Sequence, residues 1–352
     1  MRRWSCGDPC DAPGDDGRVA RVSAATARRT RAAAATAVAA GALVAAALVT
    51  TAAPAQALGS ARWGGDDRYA TAARVSRESF PDGASDVVVV NGSRFPDALA
   101  GAPLAALHGG PLLTVDARSV PAATRAELER LRPEVVRVVG GPVSVSDDVL
   151  RELQRLAPSV QRIEGDDRYA TAARVARTEF ADDADEVVIA SGEAFPDALA
   201  GGAAGAAVGS PLLLTGRDAL PPATRDAVAE LRPTRITLVG GTAVVSAQVQ
   251  QQLEALAPGA VVRLQGADRY ATAARVAQDT WESAPSALLA SGEAFPDALA
   301  GAALGRPLLL TSRGCLPGAT AAAYSALRVQ DVTALGGPTA LSDAALGGQA
   351  CP

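Results

Sequence analysis

The sequence predicts an α/β protein built from three tandem copies of one unit, each a parallel sheet with helices on its faces. Three observations predict it. The block Gly65 to Val75 returns from Gly165 to Val175, and again from Gly266 to Val276 with Ala267 in place of an Asp. The heptapeptide from Phe95 to Gly101 returns intact from Phe195 to Gly201 and from Phe295 to Gly301. Between these blocks, short apolar runs alternate with helix-like stretches, the signature of β-α-β units with right-handed crossovers. Three lesser motifs keep the same order. Pro111-Leu112-Leu113 recurs at Pro211 and Pro307, Gly140-Gly141 at Gly240-Gly241 and Gly336-Gly337, and Ser146 at Ser246 and Ser342. A period near 100 residues is domain-sized, too long for a solenoid of small repeats.

The second copy shows the elements in order. Ser159 to Glu164 reads as a short strand, and Asp167 caps a helix running to about Phe180. Glu186 to Ala190 is a β-branched run, hence a buried strand. Pro196 opens the next helix, where its missing N–H costs nothing. Pro211 to Thr215 is a third strand, and Pro221-Pro222 opens a helix ending near Leu231. Arg235 to Val239 is a fourth strand, stopped by Gly240-Gly241, and Ser246 caps a helix reaching Leu256. The copies are bounded at 58–159, 160–260 and 261–352, the last truncated at its end. A closed pseudo-threefold ring is favoured over a row, because closure leaves no terminal unit unpaired.

Residues 1–57 read differently. Arg28, Arg29 and Arg31 precede an Ala/Val/Leu run from Ala32 to Val49, and Pro54-Ala55-Gln56-Ala57 offers small residues for cleavage after Ala57. This is the pattern of a secretory signal. The alternative is a membrane anchor, but an Ala-rich run is weakly hydrophobic, and no stable membrane insertion is expected. The stretch before Arg28 is long for such a leader, and a start near Val19 or Val22 would shorten it. Without residues 1–57, which hold seven Arg and four Asp, the formal charge moves from −5 to −8. A nucleic-acid binder should carry a basic face instead, so no nucleic-acid partner is expected. All 33 basic residues are Arg, a feature of composition more than of function. Cys6 and Cys10 fall in the leader, leaving Cys315 and Cys351 to form a disulfide that pins the C-terminal tail.

Two glycine turns per copy lie where parallel strands give way to helices. One holds Gly92, Gly192 or Gly292, and the other is the Gly140-Gly141, Gly240-Gly241 or Gly336-Gly337 pair. Helix starts there suit phosphate or carboxylate, although a tight turn alone would also require glycine. Arg68, Arg168 and Arg269 stand at matched helix starts, where an Arg opposes the helix dipole and needs a compensating anion. That anion is either a ligand or the repeated Asp97, Asp197 and Asp297, so the two readings compete for one site. Ser146, Ser246 and Ser342 offer hydroxyls to a ligand, as does Thr71, with helix capping the structural alternative. Tyr69 and Phe95 would stack on sugars or fill the core, and aromatics at 3% argue against a broad sugar platform. The acidic stretches Asp82–Asp86 and Asp182–Glu186 lack calcium-loop spacing and read as solvated loops.

At these motifs the chain resembles the cell-wall-binding repeat 2 (CWB2) family. The resemblance rests on the G-x-D-R-Y-x-T-A helix start, the F-P-D-A-L-A segment, the P-L-L strand and the G-G…S turn, from Arg62 to about Leu346. It implies a Toprim-like or Rossmann-like fold assembled in threes. It also implies a secreted protein of Gram-positive surfaces that binds anionic, teichoic-acid-like wall polymers or peptidoglycan without a covalent bond. The third copy, with Ala267 and a shortened end, is expected to contribute less. Many such proteins carry a catalytic domain beside the repeats, and these 352 residues leave no room for one. The single histidine, His108, is replaced by Val208 and Leu304 in the other copies, and no zinc motif is present. No catalytic residue, metal or cofactor is therefore expected. The rival readings are a wall hydrolase of the N-acetylmuramoyl-L-alanine amidase type, and an adhesion or regulatory partner of another secreted protein.

Overall fold

The computed structural model describes residues 59–180, 184–294 and 296–352. The leader at 1–57 lies outside them, as do Asp182 of the second acidic stretch and Phe295 of the third heptapeptide.

The first copy contains β1 (Gly59–Trp63), α1 (Arg68–Ser79), β2 (Asp86–Asn91), α2 (Phe95–Ala98), α3 (Gly101–Leu107), β3 (Leu112–Val115), α4 (Ala122–Leu131), β4 (Val135–Val139) and α5 (Asp147–Leu153). The second contains β5 (Ser159–Ile163), α6 (Arg168–Glu179), β6 (Glu186–Ser191), α7 (Phe195–Val208), β7 (Leu212–Thr215), α8 (Pro222–Leu231), β8 (Arg235–Val239) and α9 (Ala247–Leu256). The third contains β9 (Val261–Leu264), α10 (Arg269–Thr280), β10 (Ser286–Ser291), α11 (Pro296–Ala302), β11 (Leu308–Thr311), α12 (Gly318–Leu327), β12 (Asp331–Leu335) and α13 (Asp343–Leu346). Each expected strand and helix of the second copy is present. The copies differ at one helix. Pro103 has no N–H to give the carbonyl four residues back, and here α2 and α3 are separate segments. Ala203 holds that place in the second copy, and α7 runs unbroken.

The strands form three parallel sheets, ordered β3-β2-β4-β5, β7-β6-β8-β9 and β11-β10-β12-β1. Each sheet borrows its last strand from the segment that opens the next copy. The chain's first strand completes the last sheet, with Gly59 opposite Asp331 and Trp63 opposite Leu335. The helices close the same circuit. α3, α7 and α11 meet at the centre, while α6 packs on α2, α10 on α7 and α1 on α11. Each copy thus touches both others, which makes the assembly a closed pseudo-threefold ring.

Burial explains the sequence pattern. On β2, Val88 and Val90 join a core shared by all three copies, whereas Val87 and Val89 join a core private to the first. β6 divides Val188 and Ala190 from Val187 and Ile189 in the same way. Both faces are apolar because both are covered, so these runs do not alternate in polarity. The heptapeptide serves the shared core: Ala98, Leu99 and Ala100 are buried in it. Its final glycine lets the helix close on the sheet. A Cβ on Gly101 would lie 2.8 Å from Val90 Cγ1, and one on Gly301 would lie 2.2 Å from Leu335 Cδ1. At the far end, Cys315 and Cys351 are joined by a disulfide, and Leu316 hydrogen-bonds to Gln349 and Cys351.

Candidate functional site

The repeated polar residues gather where one copy meets the next. At the start of α6, the Asp167 carboxylate accepts from the Ala170 amide at 2.7 Å and caps the helix. Thr171, buried, accepts from the Gly165 amide at 3.1 Å, which fixes the loop in front of the helix. Asp67 with Thr71 and Asp268 with Thr272 repeat this arrangement. The Thr hydroxyls therefore shape the loop. Ser146 and Ser342 likewise accept from Val149 and Ala345 as helix caps, and Ser246 is also an N-cap residue.

Each helix-start arginine has one partner at home and faces another abroad. Arg68 donates to the Gly92 carbonyl at 2.9 Å, and Arg168 and Arg269 donate to Gly192 and Gly292. The acid each one faces belongs to the preceding copy. Asp97 feels the charge of Arg168, Asp197 that of Arg269, and Asp297 that of Arg68. Each arginine thus faces the aspartate of the neighbouring copy, so the contact joins copies together. Burial raises all three carboxyls above their usual range, and the arginines offset this only in part. Asp197 is pushed up to about 6.

The glycine turns divide in their roles. In the first turn, the amides of Ser93 and Arg94 bond to the Asn91 side chain, and the Gly92 amide to the Val115 carbonyl. Ser191 and Ser291 accept from Glu193 and Glu293 in the other copies. These N–H groups are turned inward. The first glycine of each pair lies against the repeated acid. Gly140 has φ +118°, and a Cβ there would lie 3.2 Å from Asp97 Oδ2. Gly240 and Gly336 meet Asp197 and Asp297 alike. Only glycine accepts both the conformation and the close carboxylate.

Three arginines outside the sequence-based set hold this turn. Arg162 donates to the Gly140 and Val145 carbonyls, Arg263 to those of Gly240 and Val245, and Arg62 to that of Gly336. Their signal was present in the sequence, since each stands three residues before the glycine of the helix-start motif.

A cleft of about 770 Å³ opens between the first and second copies. The first copy contributes Arg94, Asp97, Gly141 and Ser144 to its walls; the second contributes Glu164, Asp166, Asp167, Arg168 and Arg174. Asp97, Gly141 and Arg168 of the sequence-based set thus meet in one place, whereas Gly92 and Ser146 do not line it. Arg94, Arg174 and Glu164 enter the site without having been singled out from the sequence. A second cavity, about 560 Å³, lies among the ends of the central helices. It is lined chiefly by Ala, Gly and aromatic residues, with Arg306 stacked 5.9 Å from the Trp63 ring, and it holds none of the repeated polar motifs.

His108 lies outside the cleft. It shares a 2.9 Å hydrogen bond with Glu179 of the second copy, beside Asp86 and Arg137. Among the described residues, no cluster of His, Cys, Asp and Glu is placed to hold a metal, and no helix is long and apolar enough to cross a membrane.

Comparison with known proteins agrees with this geometry. The sequence model of cell wall binding domain 2 (CWB2) matches residues 62–150, 162–250 and 263–346. N-acetylmuramoyl-L-alanine amidase LytC of Bacillus subtilis (strain 168) is 33% identical over 243 residues, covering 69% of this chain but 47% of that protein. The amidase enhancer of the same organism is 29% identical over 243 residues, covering 33% of its length. Among solved structures, Cwp6 from Clostridium difficile superposes with a TM-score of 0.76 at 25% identity, over 83% of this chain and 48% of that one. Cwp8 from Clostridium difficile gives 0.73 at 26%, over 80% and 50%.

Proposed function

The chain belongs to the cell wall binding domain 2 family, and from that premise we propose that it is exported and holds non-covalently to anionic secondary polymers of the wall through the clefts between its copies. One observation carries this reading. The motif residues are spent on the boundaries between copies, where Asp97 meets Arg168, Asp197 meets Arg269 and Asp297 meets Arg68. The ring therefore presents up to three related sites. Sites that are weak singly gain strength on one polymer through effective concentration. Arg68, Arg168 and Arg269 would bind the anions, with Asp97, Asp197 and Asp297 and the glycine pairs Gly140-Gly141, Gly240-Gly241 and Gly336-Gly337 shaping the floor. Gly92, Gly192 and Gly292 would act by holding the arginines through their carbonyls.

The geometry favours binding over catalysis. His108 is engaged with Glu179 across the copy boundary, and it is not among the residues lining the cleft. The similarity to the amidase covers less than half of that enzyme. It keeps a hydrolase, or a partner of one, as the second reading. A cleared band in zymography on peptidoglycan would establish the hydrolase.

The deciding measurement is co-sedimentation with purified walls, native and stripped of anionic polymer. Pelleting with native walls only, reduced by salt, is the expected result. Arg68→Glu, Arg168→Glu and Arg269→Glu should each weaken it. Equal pelleting with both preparations would assign peptidoglycan as the ligand, and pelleting with neither would sink the proposal.

A further inference from the structure

Resting on that reading, we propose that the cleft between the first and second copies takes a polymer segment bearing both signs of charge, an anionic group on Arg94 and Arg174 and an ammonium on Glu164 and Asp166. All four side chains line one cleft. Among the described residues, Arg94, Arg174 and Asp166 enter no ion pair. Glu164 is partly exposed and reaches only Arg162, at 3.9 Å. Charges kept for structure are bridged elsewhere at these same boundaries, as Arg235 is to Asp279 at 2.6 Å. Opposite charges that surround a cleft without meeting are free to be matched by a ligand carrying both.

The other boundaries sharpen the case. The second has Ala194 for Arg94, Gln265 for Glu164 and Ala267 for Asp166. Arg94 and both carboxylates are absent there, while Arg275 keeps the place of Arg174 and Glu193 stands where Ser93 lines the first cleft. A ligand with anions alone would gain from losing Glu164 and Asp166 and from keeping Arg94, so that pattern of replacement would be different. The third boundary has Ala294 and Gly64 in place of Arg94 and Glu164, keeps Asp66 and Arg74, and has Glu293 in place of Ser93. The first cleft is thus the discriminating site, and Arg94 is its specificity-determining cation.

The test uses the full chain and two probes, poly(glycerol phosphate) with and without aminoacyl ester groups, in a calorimetric titration. The native chain should bind the amine-bearing polymer about tenfold more tightly, the effect of one charge-assisted hydrogen bond. Glu164→Gln with Asp166→Asn should erase that preference and leave the bare polymer bound as tightly or more so. Arg94→Ala should weaken both probes by about fivefold. Equal binding of the two probes by the native chain, or a preference that survives the double substitution, overturns the proposal and leaves polymer binding standing. No binding to either probe or to native walls overturns polymer binding itself.

Discussion

The first and second copy boundaries share a frame and differ in its filling. Both set the heptapeptide aspartate, Asp197 buried and Asp97 partly so, against the helix-start arginine of the next copy, and both lay that aspartate on a left-handed glycine. They differ in what surrounds it. The first has Arg94, Glu164 and Asp166 around its cleft and His108 clasped to Glu179; the second has Ala194, Gln265, Ala267 and Val208. What recurs is what closing a ring of three requires. What varies is free of that duty, and it is where a ligand's chemistry can be written.

The largest effect should come from the shared frame. The Ser144 and Thr171 hydroxyls and Arg168 ease the ionisation of Asp97. At the second boundary Val244 replaces Ser144, and Asp197 has Arg269 to offset its burial. Its carboxyl is raised from 3.8 to about 6 in the folded protein. Between those values the folded state holds a proton that the unfolded state has lost. The stability this carboxyl contributes is full below pH 3.8 and is lost as the pH rises through about 6. Asp197→Asn should therefore match the native chain below pH 4. It should be more stable above pH 6, by about 3 kcal/mol, two pH units' worth of linkage. Asp97→Asn should gain less. Urea unfolding across this pH range would check both, and equal gains would remove the distinction drawn between the two acids.

Much of this was legible in the sequence. Repetition marked the motifs, and caps such as Asp167 and the Pro221-Pro222 helix start fixed element ends, because both act through a few adjacent residues. Strands such as Val87 to Val90 declared a parallel sheet covered on both sides. The alternation that sends Val88 and Val90 to the shared core was hidden, since both faces want the same residue type. Partnership between copies was also hidden. Three equivalent aspartates and three equivalent arginines match equally well within a copy or one step along, and only the borrowed strands decide. Arg94 and Glu164 were invisible for the opposite reason: they do not repeat, and a search for repetition passes over what one copy has alone.

A transplant tests whether the filling can be moved without the frame. Glu193→Ser, Ala194→Arg, Gln265→Glu and Ala267→Asp together should give the second boundary the charges of the first. Starting from a chain carrying Arg94→Ala, affinity for the amine-bearing polymer should recover by about fivefold. Failure to recover would mean that the two boundaries differ in shape as well as in charge.

The smallest effect belongs to the clasp. His108→Val installs the second copy's residue in the first. It removes a largely buried hydrogen bond between His108 and Glu179, but Arg137 remains 3.6 Å from the same carboxylate. A loss of about 0.5–1.5 kcal/mol is expected, as for other single side-chain hydrogen bonds. Wall binding should not change, because His108, Asp86 and Glu179 all lie outside the cleft lining. A loss beyond about 3 kcal/mol, the range of a broken buried pair, would make the clasp the principal polar lock between the first two copies. A loss of wall binding at unchanged stability would show that the clasp sets the width of the cleft, and the boundary between frame and filling would have to be redrawn to include it.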